Sequence, residues 1–261
     1  MFKLMNFVQP TSIDEAYSIL MEKNNNTLIG GSAFLRMGKK RIGTAIELSK
    51  LNLRYIREDK DEFEIGAMTT FRDIEIHKEL NSYFDGVIGK SLKGIIGIQF
   101  RNVVTIGATL FSRYGFSDLI TSLLALNVDV NLYKGGRMKL CEFMEKPYEK
   151  DMLLSIYIKK DNRKVIYKDI RRSSSDYPIL NLSVSKFNNE FKIVIGARPV
   201  NAIIAKKSSK FISENPINEE NLNKMCQLIE DEVSFGSDMR ASALYRREVC
   251  KTLLKRAVSE V

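Results

Sequence analysis

The sequence contains no tryptophan, one histidine and three cysteines among its 261 residues. A single histidine, His77, argues against a histidine-rich metal site and against a nucleophile that needs a neighbouring imidazole base. Cys141, Cys226 and Cys250 are scattered and form no Cys-x-x-Cys motif, which argues against an iron–sulfur cluster or a structural zinc. We therefore predict free thiols, no metal site and no catalytic side chain in this chain.

Long apolar runs are also absent. No segment approaches the roughly 20 apolar residues that a membrane-spanning helix needs. The first ten residues, MFKLMNFVQP, have only a short apolar segment and no small-residue cleavage site, so they do not resemble a secretory signal. A hydrophobic fraction of 44% with only 5 prolines is typical of globular proteins. We predict a cytoplasmic protein that does not associate with a membrane.

The chain carries a net charge of +9, which raises the question of nucleic-acid binding. Its 41 Lys and Arg residues are, however, spread along the chain together with 32 Asp and Glu residues. There is no long basic arm, and no RNA-type motif combines basic residues with interleaved aromatics. We predict no nucleic-acid partner, and we interpret the positive charge as a solvated surface or as a face for an acidic partner subunit.

Two glycine-centred loops stand out in the sequence. The first, Ile29-Gly30-Gly31-Ser32-Ala33, follows a short apolar run, and Ser32 is predicted to cap a short helix over residues 33–37. The second surrounds Gly107, where the chain turns and small neighbours are expected to leave amide N–H groups pointing outward. Backbone amides in such loops bind phosphate without needing lysine. Two separated loops of this kind suit a ligand with two adjacent phosphates, such as a flavin dinucleotide.

The remaining patterns predict an α+β protein. Ser12 and Glu15 have the spacing of a capping box, and an amphipathic helix follows to about Glu22. A domain boundary is predicted near Lys146-Pro147. Strand-like segments follow it, beginning with residues 153–158. Three helices are predicted to close the chain, over residues 201–212, 218–233 and 240–258, with Asp238 capping the last of them.

Several blocks of the sequence resemble the FAD-binding medium subunit of molybdenum hydroxylases, the family of xanthine dehydrogenases and carbon monoxide dehydrogenases. The resemblance begins with the block QFRNVVTIGATLFSRYGFSD at residues 99–118. The other blocks follow the order expected for the family and cover nearly the whole chain; they are IGGSAFL, IELSKL, FEIGAMTTFRDIE, MLLSIYI, YKDIRRSSSDYPILNLSV, IVIGARPV and SDMRASALYRREV.

The resemblance implies an FAD site and names its residues. The FAD diphosphate and its neighbouring sugars are expected to contact two segments, which comprise Leu28, Ile29, Gly30, Gly31, Ser32, Ala33 and Phe34 in the first and Thr105, Ile106, Gly107, Ala108 and Thr109 in the second. The hydroxyls of Ser32 and Thr109 are expected to add donors. Asp118 matches an acid that accepts a hydrogen bond from the cofactor, and it is also suited to capping a helix. Leu153 matches an apolar contact to the flavin ring, and Lys168 matches a lysine near that ring. An exposed lysine at a strand end is an equally simple interpretation of Lys168.

The resemblance also implies an architecture and partners. It predicts a two-lobed PCMH-type FAD-binding domain over residues 1–147, with lobes of about 1–53 and 54–147, followed by a smaller α+β domain over residues 148–261 whose sheet has helices on one side. It implies an oxidoreductase subunit that passes electrons from an iron–sulfur partner through FAD to an acceptor such as NAD. The 2Fe-2S clusters and the molybdenum cofactor are expected on separate subunits, one of them the molybdopterin-binding large subunit.

Some residues depart from the family pattern and keep other functions open. The family usually has glycine at Ala108, Asn or Asp at Thr109, Ser-Pro at Tyr114-Gly115 and a polar residue at Ala33. These departures favour an alternative, a flavin-free scaffold or assembly subunit that has kept the fold. A further alternative is a stand-alone PCMH-type flavoenzyme, such as a cell-wall precursor reductase. Those enzymes resemble the first loop but not the block from Asp238 to Arg247.

Overall fold

The computed structural model describes residues 2–261, which form a mixture of helices and strands. The strands are β1 Lys3–Val8, β2 Thr27–Ile29, β3 Arg41–Glu47, β4 Ile56–Glu58, β5 Glu62–Gly66, β6 Val128–Leu132, β7 Gly136–Lys139, β8 Leu153–Lys159, β9 Lys164–Ile170, β10 Leu180–Phe187, β11 Glu190–Gly196 and β12 Ile203–Ile204. The α-helices are α1 Ile13–Glu22, α2 Phe71–Ile76, α3 Lys78–Ser82, α4 Val87–Leu92, α5 Ile98–Arg101, α6 Ile106–Ser112, α7 Asp118–Ala125, α8 Leu140–Glu145, α9 Lys206–Glu214, α10 Glu219–Glu232 and α11 Ala243–Glu260. Short 3₁₀ helices lie at Leu35–Met37, Ser49–Leu51 and Phe84–Gly86.

The described chain divides into two compact units, and each unit is assembled from separate stretches of sequence. The first unit comprises the residues up to Ile74 together with Gly97–Ser112 and Val128–Lys159. The second unit comprises Glu75–Ile96, Arg113–Asn127 and Lys160–Val261. Domain boundaries at 147/148 and 53/54 stay predictions.

The first unit contains two sheets. Strand β3 lies between β1 and β2 in a parallel, three-stranded sheet with the order β1-β3-β2. One core of this unit joins α1 to β3, because Ala16 and Leu20 of the helix pack with Ile46 of the strand. Ser12 caps α1 by accepting the Glu15 amide at 3.2 Å, which confirms the predicted helix start. The second sheet is five-stranded, with the order β4-β5-β8-β6-β7.

Strand β8 is the central strand of this five-stranded sheet. It pairs antiparallel with β5 on one side and with β6 on the other. The sequence predicts a strand over residues 153–158 and assigns it to the domain that follows Lys146-Pro147. In the structure its neighbours, β5 and β6, precede that point in the chain. Alternation of apolar residues identifies a strand, whereas its neighbours in the sheet depend on pairing between residues far apart in the chain.

The second unit is built on a four-stranded sheet with the order β12-β11-β10-β9. Side chains of β10 alternate between its two faces. Leu180, Leu182 and Val184 pack into a core with the helices α9, α10 and α11. The intervening polar residues contact α7: Asn181 accepts a hydrogen bond from the Thr121 hydroxyl at 3.0 Å, and Ser185 donates to the Ala125 carbonyl at 2.7 Å. The three C-terminal helices thus cover one face of this sheet, as predicted.

Three sequence predictions need correction. The helix predicted over residues 33–37 is only the 3₁₀ helix Leu35–Met37, and Ser32 has a left-handed φ of 56° that is incompatible with the expected capping geometry. The helix predicted from residue 201 begins at Lys206, because residues 203–204 form strand β12. Helix α11 is capped by Ser242, not by Asp238.

The side chains of Asp238 and of the buried Arg246 together stabilise a turn. Its Oδ1 accepts the Arg240 amide at 2.8 Å and the Arg246 guanidinium at 2.6 Å. Arg246 is only 1% exposed, and it also donates to the carbonyls of Ile179, Gly236 and Ala241. Arg246 therefore has a structural role in the second unit.

Gly196 provides a test of the contact between α7 and the sheet. A Cβ at this position would lie 2.2 Å from the Thr121 Oγ1 and 2.3 Å from the Asn181 Oδ1, both in the interior of the second unit. We expect Gly196→Ala to lower the free energy of unfolding by about 1–3 kcal/mol through overpacking, measured by urea denaturation. Gly236→Ala is the matched control, because its nearest neighbours would lie at 3.4 Å, an ordinary contact. Equal stability of the two variants would contradict the packing described.

Candidate cofactor site

The first glycine loop forms a tight turn directly after β2. The Ser32 amide donates to the Gly30 carbonyl at 2.7 Å. Gly31 and Ser32 both have positive φ values, 66° and 56°. Within residues 2–261, the amides of Gly31 and Ala33 have no hydrogen-bond acceptor. The Ser32 hydroxyl is buried and has no partner there either. Successive residues of this kind form an anion-binding concavity, so the loop presents unpaired donors to an anionic group.

The first loop lies directly against the segment that leads into the second. A Cβ on Gly31 would lie 1.5 Å from the Val103 carbonyl oxygen, which leaves no room for a side chain. A Cβ on Gly30 would lie 2.8 Å from the Thr105 Oγ1. Phe34 adds an edge-to-face contact with Phe100, with ring centroids 5.8 Å apart. The structure therefore brings together the two segments that the sequence predicted to share a ligand.

The second loop differs from the prediction, because its backbone amides donate hydrogen bonds to other atoms of the protein. The Ile106 amide donates to Thr69 at 3.0 Å, the Gly107 amide donates to Ala67 at 2.9 Å, and the Ala108 amide donates to the Thr105 hydroxyl at 3.3 Å. The expectation that amides around Gly107 point outward is therefore wrong.

Gly107 is required for a close approach. A Cβ there would lie 2.8 Å from the Ala67 carbonyl oxygen, so a side chain would clash. Thr109 donates its hydroxyl to the Thr105 carbonyl at 2.9 Å. The second segment thus supports the first loop, and the unpaired donors belong to the first loop.

Leu153 lies behind the second loop in the same unit. It begins β8 and is 4% exposed. The next residue, Leu154, accepts the Ala67 amide at 2.9 Å, and the Ala67 carbonyl accepts the Gly107 amide. Leu153 is thus an apolar, well-fixed residue of the unit that carries both loops.

Asp118 belongs to the second unit and is fully engaged there. Its Oδ1 accepts hydrogen bonds from the Arg171 guanidinium at 2.7 Å, from the Asn181 amide at 2.9 Å and from the Tyr167 hydroxyl. Burial raises the pKa of Asp118, whereas Arg171, Tyr167 and Asn181 act to lower it. Burial and the Asp118 charge raise the pKa of Tyr167 well above its ordinary value, so Tyr167 stays a donor. The capping residue of α7 is Ser117, which accepts the Ile120 amide at 3.2 Å.

Lys168 also lies in the second unit. Its ammonium group donates to both carboxylate oxygens of Glu260, at 2.7 and 2.6 Å. Side-chain exposures of 28% and 45% place this ion pair at the surface of the unit. Lys168 therefore forms an ion pair at the surface of the second unit.

Sequence reasoning missed residues that support the glycine loops in the first unit and, separately, residues that hold Asp118 in the second unit. Val103 excludes any side chain at Gly31, and Ala67 does the same at Gly107. Arg171 and Tyr167 hold the Asp118 carboxylate. Val103 and Ala67 act through backbone atoms and leave no signal in a single sequence. The run of charged residues around Arg171 gave a weak signal, and that signal did not point to Asp118.

Two further observations concern membranes and metals. None of the helices formed by residues 2–261 combines the length and the apolar character needed to cross a bilayer. Over the same residues, no group of three or more His, Cys, Asp or Glu side chains is placed to hold a metal ion. Cys141, Cys226 and Cys250 are free thiols.

Comparisons with known proteins agree along the whole chain. The FAD binding domain in molybdopterin dehydrogenase matches residues 2–158, and the CO dehydrogenase flavoprotein C-terminal domain matches residues 165–261. The glyceraldehyde dehydrogenase medium chain of Sulfolobus acidocaldarius is 28% identical over 276 residues, with 98% of each chain covered. The nicotinate dehydrogenase FAD-subunit of Eubacterium barkeri is 23% identical over 288 residues, with 99% of this chain and 96% of that protein covered.

Solved structures share the fold. Carbon monoxide dehydrogenase from Hydrogenophaga pseudoflava matches with a TM-score of 0.87 at 19% identity, covering 98% of this chain and 96% of that chain. Quinoline 2-oxidoreductase from Pseudomonas putida 86 matches with a TM-score of 0.86 at 17% identity, covering 100% and 96%. These matches confirm the predicted fold class, and the two family models confirm the predicted family resemblance. The chain belongs to the family of FAD-binding subunits of molybdopterin dehydrogenases, and it is an oxidoreductase subunit in which the FAD binding domain is followed by the CO dehydrogenase flavoprotein C-terminal domain.

Proposed function

We propose that this chain carries FAD in a xanthine dehydrogenase-like, multi-subunit molybdenum hydroxylase of the cytoplasm. In this proposal it takes electrons from an iron–sulfur subunit and passes them to an acceptor such as NAD. Bound FAD supplies the hydride and one-electron chemistry, and the protein holds and orients it. Relatives whose names include a medium chain and an FAD-subunit of dehydrogenases support this assignment.

The observation that carries the proposal is the first glycine loop. In the described part of the chain the amides of Gly31 and Ala33 and the Ser32 hydroxyl have no hydrogen-bond partner, and they are the kind of donor that a diphosphate requires. We assign the diphosphate to this loop, which lies within the segment Leu28 to Phe34. The segment Thr105 to Thr109 packs against this loop and supports it. Leu153 belongs to the same unit. On the family resemblance alone, Asp118 stays a proposed acceptor of a hydrogen bond from the cofactor and Lys168 stays a proposed neighbour of the flavin ring.

The proposed partners supply the other redox centres of the complex. The three free cysteines of this chain lie far apart in sequence and share no Cys-x-x-Cys motif, so we place the 2Fe-2S clusters on a separate subunit. We place the molybdenum cofactor on a molybdopterin-binding large subunit, which also binds the substrate. The Sulfolobus acidocaldarius relative is named a medium chain, which agrees with a complex of several subunits.

A second candidate function is a flavin-free scaffold subunit of the same complex. It is favoured by the amides of Ile106, Gly107 and Ala108, which are all engaged within the protein. The methyl group of Ala108 also lies 3.8 Å from the position that a Cβ on Gly30 would occupy, so it narrows the space beside the first loop.

The variant Ala108→Gly separates the two functions. A working flavin site binds FAD tightly before the change, so we expect the affinity to change less than about tenfold, or about 1.4 kcal/mol. Fluorescence titration of the apoprotein with FAD measures both values. FAD binding that appears only in Ala108→Gly would favour the scaffold.

Gly31→Ala tests the loop directly. A Cβ at this position collides with the Val103 carbonyl at 1.5 Å and must adopt a φ of +66°. We expect the loop to be displaced and FAD affinity to fall by more than about tenfold. Gly136→Ala is the matched control, because it has the same φ of +66° but no atom within 4 Å of its Cβ. Equal FAD affinity in both variants would contradict the assignment.

Electron transfer is tested on the complex purified with its neighbouring subunits. We expect flavin absorbance bands at about one FAD per copy of this chain and reduction of NAD by the reduced complex. Removal of FAD is expected to abolish NAD reduction and leave reduction of the iron–sulfur clusters by substrate unchanged. A chain refolded with excess FAD that shows no flavin bands would refute the proposed function.

A further inference from the structure

Strand β1 is an edge strand with unusually exposed apolar side chains. It pairs with β3 on one side, and no strand formed by residues 2–261 pairs with its other side. Met5 is 82% exposed and Phe7 is 54% exposed, and alternation places both on one face of the sheet. Leu4, on the other face, is 43% exposed. Only Val8, at the end of the strand, packs into the core with α1.

Such an edge is a liability in an isolated protein. Unpaired N–H and C=O groups beside apolar side chains act as a template for another strand, and natural proteins protect such edges with charges, prolines or bulges. The only charged residue of β1 is Lys3 at its start, and the strand has no proline. Its ladder with β3 runs without a bulge from Lys3 to Val8. A protein surface of this kind is typical of a site that another chain covers.

A group of cations surrounds the start of this edge. Lys3 is paired in register with Arg41, and its amide donates to the Lys40 carbonyl at 3.0 Å. Lys39, Lys40 and Arg41 are consecutive and exposed. None of these side chains forms an ion pair within residues 2–261. Burial is the larger cause that lowers the pKa of Lys150 in the same unit, and the positive charge of Lys40 adds to it.

The net charge of the chain and the cations near β1 indicate what kind of partner would bind this edge. A second copy of this chain would bring another net charge of +9 to the interface, which opposes self-association. An acidic segment would neutralise the unpaired cations, and an extended segment would pair with the free edge of β1. Strand addition is a common mode of recognition in which the backbone supplies affinity and side-chain contacts supply specificity.

We propose that the β1 patch, defined as Leu4, Met5, Phe7, Lys3, Lys39, Lys40 and Arg41, binds an extended, acidic segment of a partner subunit, which adds to the three-stranded sheet as a fourth strand. The choice of a subunit of the complex as partner rests on the proposed function. The edge itself is a property of the structure, and the strand addition can hold even if the flavin assignment fails.

The experiment compares the full chain alone with the chain assembled with its iron–sulfur and molybdopterin-binding subunits. Hydrogen exchange of residues 3–8, followed by mass spectrometry, is expected to slow by about tenfold or more on assembly, because added backbone hydrogen bonds protect the outer amides. The charge-reversal variant Lys39→Glu/Lys40→Glu is expected to weaken assembly by about tenfold or more, with a larger effect at low salt. Met5→Asp is expected to weaken it similarly.

Controls separate docking from folding and from flavin binding. Lys207→Glu/Lys210→Glu makes the same charge change on α9, and Ile217→Asp alters an apolar residue that is 42% exposed in the second unit. Both controls are expected to assemble normally. Each β1 variant is also tested for FAD binding, so an assembly defect with normal FAD binding supports the docking surface. Protection of β1 in a wild-type complex that binds no FAD would support it while refuting the flavin assignment.

Two results would overturn the proposal. One is unchanged exchange at residues 3–8 on assembly, or normal assembly of the charge-reversal variant. The other is a dimer of the isolated chain, detected by sedimentation, that Met5→Asp dissociates, since the edge would then bind a second copy.

Discussion

The candidate site depends on one close contact, the approach of the Gly31 backbone to the Val103 carbonyl. A hydrogen atom is the only substituent that fits there, because a Cβ would lie 1.5 Å from the oxygen. The contact holds the first loop in a left-handed turn, and this turn leaves the amides of Gly31 and Ala33 without an acceptor among residues 2–261. The energetic cost of withdrawing unpaired donors from water is offset when an anionic ligand accepts them. The close contact between Gly31 and Val103 therefore also provides hydrogen-bond donors for an anionic ligand.

A second polar arrangement organises the other unit. The polar face of β10 meets α7 through Asn181 and Ser185, and Gly196 permits the close approach of Thr121. Asp118 lies at the start of α7 and is held by donors from β9 and β10 and by Arg171. Removal of one partner of a buried charge such as the Asp118 carboxylate strongly destabilises the folded protein, because the charge is then left uncompensated. Asp118 therefore has a structural role that does not depend on any cofactor.

Local signals in the sequence predicted α1, β8 and the three C-terminal helices, and they singled out the two glycine loops that the structure places side by side. The capping pattern at Ser12 and Glu15 predicted the start of α1. Both loops were identified from glycine alone. The errors concern distant partners: the amides of Ile106 and Gly107 bond to Thr69 and Ala67, residues that no local pattern connects with them. The exposed edge of β1 could not be predicted from its sequence, which is that of an ordinary strand. An edge is recognised only when the order of the strands in the sheet is known.

The most direct measurement follows the backbone amides of the first loop by NMR in protein labelled with ¹⁵N-glycine and ¹⁵N-alanine. We expect FAD to shift the Gly31 and Ala33 resonances and to slow their hydrogen exchange, while the Gly107 and Ala108 amides, already hydrogen-bonded within the protein, change little. Saturating FAD that leaves the Gly31 and Ala33 resonances unchanged would contradict the assignment of the diphosphate to the first loop.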